Sequence, residues 1–490
     1  MDETQPLLQD AHLVYVDRED DPVSKDIVDF DPNGDAENPM EWPRAYKWGI
    51  VALLAFMAFT VTFTCISVVP VATRIVDDLD GHSSKSASVL LVTIWELGEA
   101  AGPLLIAPLS EVFGRYPVMN VANALFIIAT VLAALSQSTT LFITTRALTG
   151  LAVASNVLNP AIVGDLFASE QRGSAMSLIQ LAPLIGGAIG PTISGAIAET
   201  MGWRKAMWMS VILATACEVA FLTCFRETYK VPILRRKAAR LRRETGNPAL
   251  RTVFDTDDGS KSSKIWGAIV RPFTVLAGSG VLLVLSLFGS IIFTYFYILA
   301  TTLPDIVETR YNFSPAAAGL AMISFSIGSA ISVVVCNLTL DRIYIKLRDS
   351  HKGVGQPEYR LPLVIIGGFT MPFIIAWYGW ITQTHASVFL LLFSVSAIGV
   401  ALMLGFLPLY AYVVDAFGLY AASAMTAVIV TRCLAGTFLP LAVESLVSKL
   451  GYGVGLSVFS GASLLLAPIP IFVLRYGKKW RQKSKYTRDE

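Results

Sequence analysis

The sequence predicts an all-α integral membrane protein, its twelve transmembrane helices arranged as two pseudo-symmetric halves of six. Three observations predict it: apolar runs of membrane length, basic residues gathered in every second loop, and an echo between the two halves of the chain. Of 490 residues, 54% are hydrophobic and only 15% are charged, a balance unlike that of a soluble domain. Mean hydropathy is +0.59.

Taken in order, residues 1–45 read as an acidic, disordered tail without the basic-then-apolar start of a cleaved signal. Apolar runs near 47–70, 87–109, 118–136, 140–164, 174–198 and 205–225 can each cross about 30 Å of hydrocarbon as helix. They make an N-terminal half over 46–225. A basic loop over 226–272 separates it from a C-terminal half over 273–476, with runs near 273–300, 316–340, 361–382, 386–413, 419–443 and 453–475. Residues 477–490 form a basic tail.

The net charge of +1 conceals a strong segregation. Arg235, Arg236, Lys237, Arg240, Arg242 and Arg243 crowd the central loop. Arg342, Lys346, Arg348 and Lys352 follow the eighth run, and Lys478, Lys479, Arg481, Lys483 and Lys485 occupy the tail. The opposite loops hold only Arg74, Lys85, Arg204, Lys205, Arg310 and Lys449. The positive-inside tendency then puts both termini in the cytosol. Residues 233–243 alternate apolar and cationic groups, as suits a helix lying on the anionic inner leaflet, so membrane lipid is an expected partner.

Two glycine-spaced segments stand out. Residues 107–115, Ala-Pro-Leu-Ser-Glu-Val-Phe-Gly-Arg, end the second run, and residues 186–195, Gly-Gly-Ala-Ile-Gly-Pro-Thr-Ile-Ser-Gly, lie within the fifth. The second half echoes the first segment where Asp341 and Arg342 follow the eighth run, as Glu111 and Arg115 follow the second. Such a loop can latch one half to its neighbour by charge and by helix-dipole contact, or be a plain tight turn. Gly186, Gly190, Pro191 and Gly195 permit close helix approach and a bend, or simply supply a packing face.

These residues carry a resemblance: the chain looks like a member of the major facilitator superfamily, in particular its fungal twelve-span drug:proton antiporters, over nearly its whole length. Leu109, Gly114 and Arg115 match the family's loop motif, where Glu111 replaces Asp, Ala107 replaces Gly and Val112 replaces the first Arg. Residues 146–150, Arg-Ala-Leu-Thr-Gly, match the fourth-span motif, and 186–195 match the antiporter motif except at Ser194. Residues 227–229, Glu-Thr-Tyr, with 234–246 and 415–432, resemble the fungal branch. The resemblance implies proton-coupled efflux of drugs, toxins or secondary metabolites at the plasma membrane by a monomer. It implies no cofactor, no nucleic acid, and small organic molecules and protons as partners.

Ionisable groups at membrane depth nominate sites. Glu96 and Glu99, three residues apart, share a face of the second run, and Arg146 lies at a depth that Glu96 approaches; the expectation is that Glu96 and Arg146 pair. Such a pair couples protons or fixes packing. Relatives often carry an acid in the first span, and none lies between Trp48 and Pro70. Glu218 is a second-choice proton or cation site. Asp165 and Arg172 bracket the loop after the fourth run as gating candidates, or as a solvated pair. For the cavity, Phe293, Tyr295, Phe296 and Tyr297 suit flat lipophilic molecules or face lipid, and Asn156, Asn159, Gln180 and Arg432 offer polar contacts.

Five cysteines and four histidines show no metal-site spacing, so no metal is expected. No phosphate-binding Gly-x-x-x-x-Gly-Lys loop is present, so nothing in the sequence supports ATP-driven pumping. Polyamine export, drawing on Glu96, Glu99 and Glu218, and a transporter-like membrane sensor are the alternatives.

Overall fold

The computed structural model describes residues 27–32, 34–81, 84–255, 261–351 and 355–487. The N-terminal half contains α1 (Arg44–Ile66), α2 (Ala72–Asp80), α3 (Lys85–Phe113), α4 (Arg115–Ala134), α5 (Thr139–Leu151), α6 (Ser155–Leu166), α7 (Ser169–Met201) and α8 (Trp203–Cys224). Two linking helices follow, α9 (Lys230–Thr245) and α10 (Lys261–Ala277). The C-terminal half contains α11 (Gly280–Tyr311), α12 (Pro315–Ser350), α13 (Pro362–Gln383), α14 (Val388–Phe417), α15 (Ala421–Leu464) and α16 (Ile469–Arg481).

Eleven continuous stretches are long and apolar enough to cross a membrane, the last being Ala421–Arg481 with 61 residues. A straight helix of that length would run about 90 Å, three times the hydrocarbon thickness. Gly451, at φ 79° and ψ 169°, breaks α15 and turns the stretch into two crossings, which makes twelve. The fourth crossing is α5 and α6 together, interrupted at 152–154.

Serine caps explain where many spans begin. Ser84, Ser138, Ser279, Ser314 and Ser387 each accept a hydrogen bond from the backbone N–H three residues on, at the starts of α3, α5, α11, α12 and α14. The cap at Ser279 starts the seventh span at Gly280 rather than near 273, and α10 packs separately against α3 and α15. Apolar side chains face outward as lipid contact requires: Phe389 is 85% and Ile212 68% exposed, although both are strongly hydrophobic.

The halves meet along α7 against α12 and α3 against α15. At the end remote from the termini, Lys85 pairs with Asp305 at 3.3 Å, Arg74 with Glu308 at 4.0 Å, and the Ser86 hydroxyl donates to Glu444 at 3.2 Å. Each of these contacts joins one half to the other, closing that end.

Two boundaries need correction. Residues 1–26 of the expected disordered tail lie outside the described residues, but from Ile27 onward the segment is seated on the central loop. Val28 N–H donates to Arg251 O at 2.8 Å, Lys237 pairs with Asp35 at 2.5 Å, and Arg240 pairs with Glu37 at 2.6 Å. The cations of α9 expected on the lipid surface are therefore partly matched by the chain's own acids, with Asp255 taking Arg235 and Arg242. The basic tail also folds back: Arg481 is buried with both guanidinium bonds on Glu358, at 2.8 and 3.2 Å.

Candidate transport site

A cavity of about 290 Å³ lies between the halves, walled by α1, α3 and α7 on one side and α11, α12, α14 and α15 on the other. Six of the sequence-derived cavity candidates line it: Asn156, Gln180, Phe293, Phe296, Tyr297 and Arg432. Glu96 and Glu99 do too, because their i, i+3 spacing aims both from one face of α3.

Glu99 is the hub. Its Oε1 accepts from Asn156 Nδ2 at 2.7 Å and from Arg432 Nη2 at 3.2 Å, and its Oε2 accepts from Trp95 Nε1 at 3.2 Å. The Arg432 guanidinium also donates to Tyr410 Oη at 2.9 Å and lies over the Phe293 ring at 4.3 Å. Glu96, 2% exposed, accepts from Tyr297 Oη at 2.7 Å through Oε1, while its buried Oε2 has no hydrogen-bond partner. Both carboxylates thus reach across from α3 to the opposite half.

The expected Glu96–Arg146 pair does not form. Arg146 donates instead to the carbonyls of Thr64 at 3.2 Å and Cys65 at 2.7 Å, and stacks over Trp95 at 4.6 Å. Those carbonyls belong to the last turn of α1, where no intrahelical donor remains to satisfy them, so the helix end competes successfully for the guanidinium. The partner of the carboxylates is Arg432, from the other half.

Three further candidates lie elsewhere. Tyr295 faces away, hydrogen-bonded to Ser463 and edge-on to Phe459. Asn159 donates to Leu54 O at 3.4 Å and joins α6 to α1. Glu218 accepts from Asn123 at 2.7 Å between α8 and α4, which removes one of the three acids on which the polyamine alternative rests.

The loop motif forms a latch, with different partners from those expected. Arg115 turns from Glu111 to Asp165 at 3.3 Å, donates to Ser110 Oγ at 2.5 Å and lies over Tyr229 at 4.5 Å. Glu111 is exposed, and Leu109 lines an exposed apolar groove among α3, α4 and α5. Arg172 donates to Phe167 O and Gly164 O at the end of α6 rather than pairing with Asp165. Glu227 is the residue that sequence reasoning did not assign: its carboxylate accepts the backbone N–H groups of Arg115 and Tyr116, capping α4, and those of Thr228 and Tyr229. Gly114 is required here by its φ of 101° and because a Cβ would strike the Glu227 carboxylate. The only sequence signal was an acid standing directly after a span.

In the C-terminal half, Asp341 pairs with Arg360 at 2.6 Å rather than with the exposed Arg342, and Arg360 also holds Asp415 at 2.9 Å. The antiporter motif serves two interfaces. Gly186 and Gly190 lie on Phe59 and Phe63 of α1, whereas Pro191 abuts Gly319 and Gly195 abuts Pro315 on α12. Ser194, the departure from the motif, donates to Ser67 O at 2.6 Å just beyond the end of α1.

Twelve crossings in two like halves, with a mixed polar and aromatic cavity between them, define a multi-pass membrane transporter. A profile of the major facilitator superfamily matches residues 50–440, and the chain belongs to that family. It is 35% identical to the efflux pump radE of Floropilus chiversii over 487 residues, covering 99% of this chain and 90% of that one. It is 34% identical to the MFS transporter cpaT of Aspergillus oryzae over 464 residues, covering 94% and 93%. Among solved structures, the partially occluded inward-open xylose transporter XylE of E. coli superposes with a TM-score of 0.63 at 18% identity, covering 88% of this chain and 98% of that chain. These relatives are transporters rather than enzymes.

Proposed function

We propose that this transporter exports small lipophilic or cationic organic compounds, such as drugs, toxins or secondary metabolites, in exchange for protons by alternating access. It works as a monomer in the plasma membrane with both termini in the cytosol, the orientation favoured by the basic loops. The observation that carries the reading is the Glu99–Arg432 bridge between α3 and α15 inside the cavity.

Ionised Glu99 holds Arg432, and so holds the two halves together at mid-membrane. Protonation removes the charge partner and weakens that tie, which links proton occupancy to the relative position of the halves. Glu96 and Tyr297 form a second tie of the same kind. Phe293, Phe296 and Tyr297 offer stacking faces with centroids 5.1 to 6.1 Å apart, suited to a flat apolar ligand. The printed name of the radE relative, an efflux pump, supports outward transport.

The test is movement of fluorescent dyes, drugs and spermidine in sealed vesicles containing the purified protein, with and without an imposed proton gradient. Gradient-driven accumulation of a panel compound that disappears in Glu99→Gln is the expected result. Uphill transport unchanged in both Glu99→Gln and Glu96→Gln would overturn the coupling role.

A further inference from the structure

We propose that Glu96, Glu99 and Cys433 form a binding site for a thiophilic divalent cation of the zinc class, which on binding ties the two halves together and stalls transport. Spacing along the chain gives no hint of this, since the thiol lies in α15 and the carboxylates in α3. Folding brings one ligand atom from each residue within 4.8 Å of the others, and all three side chains are buried.

An independent observation points the same way. Glu96 Oε2 is buried without a hydrogen-bond partner, an acceptor that a protein interior seldom leaves unsatisfied. It is directed at α15: a Cβ built on Gly436 would stand 3.6 Å from it, and Cys433 is three residues earlier on the same helix face. Glu99 Oε2 carries only the Trp95 N–H, so it too has lone-pair capacity to offer.

The donor chemistry selects the ion. One thiolate with two carboxylates suits Zn²⁺, Cd²⁺ or Co²⁺, whereas Mg²⁺ and Ca²⁺ take oxygen ligands alone. Ligand atoms of a tetrahedral zinc site stand roughly 3.3 to 3.7 Å apart, so the three side chains close in by about 1 Å on the ion. The thiol gives its proton to water as the metal–sulfur bond forms. Two carboxylates, a thiolate, the cation and Arg432 then come to zero net charge, and Arg432 keeps its bond to Glu99 Oε1. The ion enters through the cavity, where both glutamates are exposed to it, and water fills the fourth position.

The consequence follows from the elements involved. Glu96 and Glu99 belong to the N-terminal half and Cys433 to the C-terminal half, so a bound ion bridges surfaces that must part in alternating access. This holds whether or not protons drive transport.

The experiment titrates Co²⁺ into the purified full-length protein in detergent and follows the thiolate-to-cobalt charge-transfer band, with Zn²⁺ as competitor. A saturable band, displaced by Zn²⁺ and accompanied by a rise in Tm, is expected. Cys433→Ser should lose the band and the Tm rise, keep metal-free dye movement in vesicles, and no longer be inhibited by Zn²⁺. Cys65→Ser should keep all the metal responses of the unaltered protein. Absence of the band in the unaltered protein, or its survival in Cys433→Ser, would overturn the site. A Cys433-dependent band without inhibition would overturn the stalling. The spectra and Tm decide the site even where no dye is moved, which separates this inference from the export reading.

Discussion

Glu99 Oε1 and Arg432 Nη2 stand 3.2 Å apart although 333 residues separate them, one in each half of the transporter. The pair is largely withdrawn from solvent, with side-chain exposures of 10% and 15%. Removing one partner from such a pair leaves the other charge uncompensated, at a cost of about 3 to 5 kcal/mol. Arg432→Gln is therefore expected to lower Tm and abolish uphill transport. The double variant Glu99→Gln with Arg432→Gln should recover stability but not coupling. Thermal unfolding in detergent beside gradient-driven efflux separates the two effects, and a double variant less stable than either single one would contradict the pairing.

The latch gives a second prediction. Arg115→Ala breaks the Asp165 bond, and Glu227→Gln weakens the cap on α4, so both should slow turnover several-fold while leaving dye binding unchanged. Glu111→Gln should be silent, because Glu111 takes no part in the latch. Gly114→Ala combines a strained φ of 101° with a collision on Glu227 and should cost about 1 to 3 kcal/mol. Initial rates against equilibrium binding, with Tm, check all four variants.

Much of this was legible in the sequence, and the failures share a cause. Span count, basic-loop asymmetry and the antiporter motif are properties of segments, and periodicity carries them. Partner choice is a property of helix rotation and packing, which periodicity does not fix. Arg146 was at the right depth for Glu96, yet its helix face meets the open carbonyls of α1. The echo between the halves was read as Glu111 with Arg115 against Asp341 with Arg342. The structural counterparts are Arg115 with Asp165 and Arg360 with Asp415: an arginine opening the third span of its half and an aspartate closing the fourth. Arg360 lies 18 positions beyond Arg342, across a loop whose length the sequence pattern could not match to the shorter loop before Arg115.

The interface of α7 and α12 yields a third prediction. Gly195 lies against Pro315 and Gly319 against Pro191, with no room for a Cβ at either place. Gly195→Leu or Gly319→Leu should hold the halves apart at the end remote from the termini, favouring the state open there. Greater labelling of a cysteine placed at Ser86, compared with the same cysteine in the unaltered interface, is the expected readout. Unchanged labelling would mean that the halves close by another route.

The last prediction concerns the acidic segment seated on α9. Burial works to raise the pKa of Asp35, but the hydrogen bond from Lys237 and the backbone N–H groups of Glu37 and Asp31 outweigh it and hold the carboxyl below its ordinary value. A carboxyl lowered in this way lends stability that is complete above its unfolded pKa, about 3.9, and lost as pH falls through the folded value. Hydrogen-exchange protection factors over residues 27–43 should therefore be level from pH 7 to about 5 and decline below about 3.9. Asp35→Asn or Lys237→Ala should reduce them at pH 7 by about fivefold, as expected for a pair worth about 1 kcal/mol. Added salt should do so more weakly, because Lys237 and Asp35 are mostly shielded, with side-chain exposures of 15% and 11%. Protection that persists in both variants would mean that the strand-like bond between Val28 and Arg251, rather than charge, holds the segment in place.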